Sequence, residues 1–177
     1  MRVQIGYLGT DSLADAGTRN QVQSYLSNDE RERAARFHFE RDRDSFICAH
    51  ALLRIMLTQL LGRGRPDRWR FSTRPGGRPQ LLDVTSAVQF SISHTTGMGV
   101  CAVTIGAEVG VDVEETSRRM SLDVARSCFS PTEMEDLLAR DAQDQPERFF
   151  YYWTLKEAYL KARGFGIAGE VCGVPGS

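Results

Sequence analysis

Lysine is almost absent from this chain. Of 22 basic side chains only Lys156 and Lys161 are lysine; every other one is Arg. The Arg excess does not make the protein basic, because 23 acidic side chains bring the net charge to −1. A global field drawing in nucleic acid or an anionic membrane is thereby excluded. Cysteine is sparse and scattered. Cys48, Cys101, Cys128 and Cys172 form no C-x-x-C pair, so a disulfide framework or zinc site is not expected and reduced, cytoplasmic thiols are. The longest unbroken apolar runs are too short to span a bilayer, and the opening MRVQIGYLG lacks the apolar block of a secretory signal. No low-complexity run or short repeat is visible. What remains is a chain of 177 residues, enough for one domain or two small ones.

Both lysines fall in FFYYWTLKEAYLKARGFG, Phe149 to Gly166. Lys is a compact charge whose pKa shifts on burial, so it can pass a proton where Arg cannot. The stretch has no Gly or Pro until Gly164, which reads as a helix stop. On a helix, Trp153, Glu157 and Lys161 stack along one face. Tyr152, Leu155, Tyr159 and Ala162 form an apolar face. An amphipathic core helix with one surface Glu–Lys pair has the same pattern.

Upstream, Val3, Ile5 and Tyr7 alternate as in a strand. A polar stretch follows, then the capping box Ser27-x-x-Glu30 ahead of RERAARF. Acids and arginines balance from Glu30 to Asp44, as on a solvated helix surface; Arg31, Arg33 and Arg36 could still face a phosphate. Ser45 to Leu61 is apolar at helical spacing and stops at Gly62, with His50 inside it as an ordinary core or boundary residue. Trp69 to Thr73 reads as a short strand and RPGGRPQ as a turn. Val88 to Ser93 and Gly99 to Ile105 read as two strands joined through His94. Ser121 to Cys128 is a helix, and Ser130-Pro131-x-Glu133 opens another. The end, from Ile167, has no periodicity.

VGVDVEE, Val109 to Glu115, reads as a strand. Its valines would face a core, and Gly110, Asp112 and Glu114 the other side. Solvated acids on a surface strand are one explanation. A hard divalent cation, best Mg²⁺, is the other, with Glu157 as a third carboxylate.

Together these motifs resemble the 4′-phosphopantetheinyl transferases, most closely the surfactin-synthetase-activating type. That pattern is G-(I/V)-D-(I/V/L)-E and then W-x-x-K-E-(A/S)-x-x-K. Gly110 to Glu114 and Trp153 to Lys161 match every specified position, about forty residues apart. FSISHTTG at Phe90, GGRP at Gly76, and RERAARF with the later LLR at Leu52 resemble further segments of that family. The resemblance implies an α+β fold of two similar α/β subdomains related by a pseudo-twofold, 1–107 and 108–177, the second incomplete, with the site between them. It implies transfer of 4′-phosphopantetheine from coenzyme A to a serine of an acyl or peptidyl carrier protein. Asp112, Glu114 and Glu157 would hold Mg²⁺; Glu157 would also take the serine proton. Lys161 would steady the pyrophosphate and protonate the leaving 3′,5′-ADP, with Lys156 near the phosphates. Ser93, His94 and Arg33 would hold the 3′-phosphate, and Arg78 and Pro79 would border the adenine.

Two departures accompany the match. Arg41 and Arg43 flank Ser45, near which the family usually carries an Arg or other polar contact. Members of this type also continue past the lysine helix with strands, so a truncated chain is expected, with Tyr151, Tyr152, Leu155 or Tyr159 left partly exposed. The smaller holo-synthase type, built on a trimer, lacks the upstream segments. A relative that binds coenzyme A or carrier protein without turnover is an alternative. An Arg-rich module for RNA or protein is another, which the balanced charge disfavours.

Overall fold

The computed structural model describes residues 2–73, 79–82 and 87–164. An antiparallel sheet of β1 (Val3–Gly9), β4 (Val88–Thr95) and β5 (Met98–Ile105) is ordered β1-β5-β4. β4 and β5 form a tight hairpin in which Thr95 pairs with Met98. β2 (Phe71–Thr73) and β3 (Pro79–Leu81) make a separate two-stranded ribbon. The mixed helix and strand content is the expected α+β class.

One face of the main sheet is covered by α3 (Glu40–Leu61). Leu53, Met56 and Leu57 of α3 pack on Val88, Phe90, Cys101 and Val103. The approach is close enough to require Gly99, where a methyl would come within 2.7 Å of the Ala49 Cα. α3 begins five residues before the apolar run at Ser45 and ends at Gly62, whose φ is 60°. By length and composition it could cross a bilayer, against the expectation from unbroken apolar runs. Its buried face instead packs against the sheet, α1 and α2. Burial pushes the Cys48 thiol up to about 11, with Asp44 adding to it, and the Cys101 thiol to about 12; neither is a nucleophile at neutral pH. Cys172 lies outside the described residues.

α1 (Ala16–Ser24) occupies the stretch read as merely polar. Asp15 caps it by accepting from Thr18 N at 2.7 Å. Val22 is its one buried residue, so the sequence carries no apolar period to betray it. α2 (Asn28–Ala35) has the expected capping box.

Glu30, which closes that box, also accepts from Arg54 Nε at 2.6 Å and lies 3.0 Å from His50 Nδ1. Arg54 is fully buried and donates to the Pro66 and Trp69 carbonyls as well. Burial alone would raise the Glu30 carboxyl; the hydrogen bonds and charges of His50 and Arg54 outweigh it and hold it at about 2, against 4.5 ordinarily. Its stabilising contribution is therefore whole above about pH 4.5 and is lost as the pH falls toward 2, a difference of about 3 kcal/mol. Glu30→Gln should lower stability at neutral pH and flatten its acid dependence in that window, read by urea unfolding over a pH series. An unchanged acid slope would contradict this account.

α4 (Leu122–Cys128), α5 (Pro131–Leu138) and α6 (Gln145–Arg163) form their own apolar cluster around Phe129, Leu137, Phe149 and Phe150. Ser130 caps α5 as the sequence indicates, Ser121 caps α4 rather than starting it, and Gly164, at φ 79°, ends α6. Tyr151, Leu155 and Tyr159 are about half exposed, as expected; the Tyr152 hydroxyl donates to Asp136.

Candidate active site

The segment Val109–Glu115 is not a strand. It makes no ladder with a neighbour, and Val111 N donates instead to the Ser91 hydroxyl at 3.1 Å. Gly110 presses on α6, where the Ala158 carbonyl oxygen fills the space that a Cβ would take. The two-residue alternation expected of a strand face therefore does not place the acids. Packing against β4 and α6 does.

Asp112 turns inward, its side chain 5% exposed. Its Oδ1 accepts from Lys161 Nζ at 2.6 Å and from Ser93 Oγ at 2.8 Å. Lys161 Nζ also donates to Ser93 Oγ at 2.9 Å. Glu157, one turn before Lys161 on α6, is buried. Burial first, then the charge of Asp112, raises its carboxyl above the usual range; Lys161 opposes the shift and Glu114 adds to it. Asp112 Oδ2 and Glu157 Oε1 are buried with no hydrogen-bond partner among the described residues. Glu114 sits at the edge, its Oε2 accepting from Arg118 at 2.7 Å.

A cavity of about 440 Å³ lies between α2, α3 and the ribbon, lined by Arg33, His50, Arg54, Phe71 and Pro79 among others. Arg33 is over the Phe46 ring, 5.2 Å from its centre. His94, exposed near the end of β4, feels charges from both the cavity and the Lys161 cluster. Crowding by the surrounding protein, then the positive fields of His50, Lys161 and Arg33, push its imidazole below the ordinary value.

Two family profiles cover nearly all of the chain. That of the 4′-phosphopantetheinyl transferase superfamily matches residues 108–173, and that described as 4′-phosphopantetheinyl transferase, N-terminal, matches 17–106, just over half of the chain. The chain belongs to the 4′-phosphopantetheinyl transferase superfamily. The 4′-phosphopantetheinyl transferase Sfp of Bacillus subtilis is 33% identical over 148 residues, 84% of this chain and 64% of its own length. HetI of a Nostoc species is 38% identical over 146 residues, 81% of this chain and 61% of its own. The chain thus spans about three fifths of these relatives. A solved holo-(acyl-carrier-protein) synthase from Bacillus anthracis aligns with 58% of this chain and 93% of its own, at 18% identity and a TM-score of 0.46.

In this transferase-family chain the expected residues divide into groups. Asp112, Glu157, Lys161 and Ser93 come together, with Glu114 beside them. Arg33 and Pro79 line the cavity; Arg78 lies outside the described residues. Arg31 does not share that lining, since its guanidinium is turned to the Leu26 and Gln23 carbonyls. Lys156 does not join the acids. Its Nζ is 2.8 Å from Glu133 Oε2, on the α5 side of α6. Ser91 and the Glu30–His50–Arg54 group went unnoticed in the sequence. For Ser91 a signal exists: it stands two residues before Ser93, on the same strand face.

The carboxylates fit a divalent cation. Two buried carboxylate oxygens without donors among the described residues, one on the Asp112 segment and one on α6, want a positive partner beyond Lys161. Among the described residues no three His, Cys, Asp or Glu side chains close around a single point. The three-carboxylate set expected of Asp112, Glu114 and Glu157 is thus not preassembled, and a divalent cation held there would be completed by water and substrate phosphates.

Proposed function

We propose that this chain transfers the 4′-phosphopantetheine group of coenzyme A to a serine of an apo acyl or peptidyl carrier protein, as an enzyme of the surfactin-synthetase-activating type. The observation that carries the reading is the cluster in which Asp112 Oδ1 accepts from Lys161 and Ser93, with the buried Glu157 one turn away on α6. The separate Arg33 cavity offers a cationic place for a further phosphate.

Asp112, Glu114 and Glu157 would hold Mg²⁺, which supplies charge neutralisation to the pyrophosphate. Lys161, bonded to Asp112, adds its ammonium beside them. Phosphoryl transfer asks the protein for positioning and charge more than for covalent chemistry. The carrier serine oxygen bonds to the phosphorus that bears the pantetheine. Its proton passes to Glu157, directly or through water. The bond from that phosphorus to the departing 3′,5′-ADP breaks, and Lys161 gives the leaving oxygen a proton. Arg33 and His94 hold the 3′-phosphate, and Pro79 with Arg78 borders the adenine.

Residues 1–107 and 108–177 are read as two subdomains with the site between them; two apolar clusters lie in the described part of the first and one in that of the second. The setting is the cytoplasm, and the partners are coenzyme A and the carrier, not nucleic acid or membrane. Incubation with coenzyme A, Mg²⁺ and an apo carrier protein should add one phosphopantetheine mass to the carrier. A carrier that keeps its apo mass contradicts the reading.

A further inference from the structure

Ser91 and Ser93 are two residues apart on β4, so they leave the strand on the same face, and both are buried. Each hydroxyl meets the Gly110–Asp112 segment. Ser91 Oγ takes the Val111 backbone N–H, the bond a neighbouring strand would otherwise supply. Ser93 Oγ accepts a hydrogen bond from Lys161 Nζ and donates one to Asp112 Oδ1. The direction is forced, because an ammonium only donates and a carboxylate only accepts.

A hydroxyl has one proton, and that of Ser93 is committed to Asp112. None is left for a phosphate. Asp112 Oδ1 is doubly bonded by donors, while Oδ2 on the same carboxylate is buried and has none. The carboxylate is therefore held by one oxygen with the other presented.

We propose that Ser91 and Ser93 are positioning residues for the Asp112 carboxylate. They form a two-point clip on β4 that fixes the backbone at Val111 and the side chain at Asp112, leaving Oδ2 for a divalent cation. This rests on the reading above that the acid cluster binds such a cation. Ser93 acts on the cation through Asp112, and the 3′-phosphate is left to Arg33 and His94.

The test is Mn²⁺ binding to the full chain, followed by the paramagnetic resonance signal of free Mn²⁺, beside the affinity ratio of coenzyme A to dephospho-coenzyme A. Outer-shell partners of metal ligands commonly matter ten- to a hundredfold in affinity. Ser93→Ala should weaken Mn²⁺ about tenfold or more and leave the ratio as in wild type. Ser91→Ala should weaken Mn²⁺ several-fold, and it reads the clip independently if Ser93→Ala does not fold. Unchanged Mn²⁺ affinity in the folded variants, or a ratio that drops to one in Ser93→Ala, overturns the proposal. A wild-type chain that binds no Mn²⁺ overturns the cation reading and the clip with it. Failed carrier modification with the Mn²⁺ pattern intact overturns only the transfer reaction.

Discussion

Among the described glycines, Gly110→Ala is expected to be the costliest substitution. The new Cβ would overlap the Ala158 carbonyl oxygen, and it would sit 2.6 Å from Ala162 N and 2.9 Å from the Ala158 carbonyl carbon. All three are backbone atoms of α6, so no side chain can swing aside. Either the Asp112 segment lifts from α6 or α6 shifts against Phe129 and Leu137. Overpacking of this kind costs about 1–3 kcal/mol and sometimes more. For a chain of this length 3 kcal/mol lowers Tm by about 6–12 °C. The relief also separates Asp112 from Lys161 and Glu157, so divalent-cation affinity should fall with stability. Gly62→Ala is the comparison: its φ of 60° brings conformational strain, but no atom lies within 4 Å of the added methyl. Thermal unfolding of the two variants checks the claim. A Gly110→Ala protein as stable as wild type would show that the segment does not bear on α6.

Lys161 carries the second large effect. Lys161→Ala strips Asp112 Oδ1 of its ammonium and leaves a buried carboxylate held by Ser93 alone. Lys161→Arg restores a positive charge, but a guanidinium stays protonated at any working pH and cannot hand over a proton. General acid catalysis is typically worth 10²–10⁴-fold. Both variants should therefore lose carrier modification by about a hundredfold or more, and Arg should rescue little. Turnover by Lys161→Arg near the wild-type rate would reduce Lys161 to an electrostatic clamp.

Much of the site was legible before the fold was known, because its chemistry sits in residues whose type is unusual for this chain. Two lysines among 22 basic side chains marked α6. Two carboxylates at Asp112 and Glu114 marked the facing segment. The helix caps at Ser27, Ser130 and Gly164 are local, and these local signals hold in the fold. The strand reading of Val109–Glu115 failed for a physical reason. Alternating valines predict a pleated surface, but here backbone pairing is replaced by one serine hydroxyl and a glycine against a helix. Neither tertiary contact leaves a period in the sequence. Lys156 misled similarly. Its motif position suggested the phosphates, yet it lies five residues from Lys161, on another side of α6, within reach of Glu133. α1 was silent because a helix with one buried residue shows no apolar stripe.

The central claim is that one cluster, Asp112, Glu157 and Lys161, serves transfer from coenzyme A to a protein serine. The most direct measurement counts 3′,5′-ADP released against phosphopantetheine gained by the carrier, with Mg²⁺ and with chelator. The account predicts one released per group transferred, no release without carrier, and loss of both on chelation. Release of 3′,5′-ADP without a matching gain in carrier mass, or transfer indifferent to chelator, would contradict it.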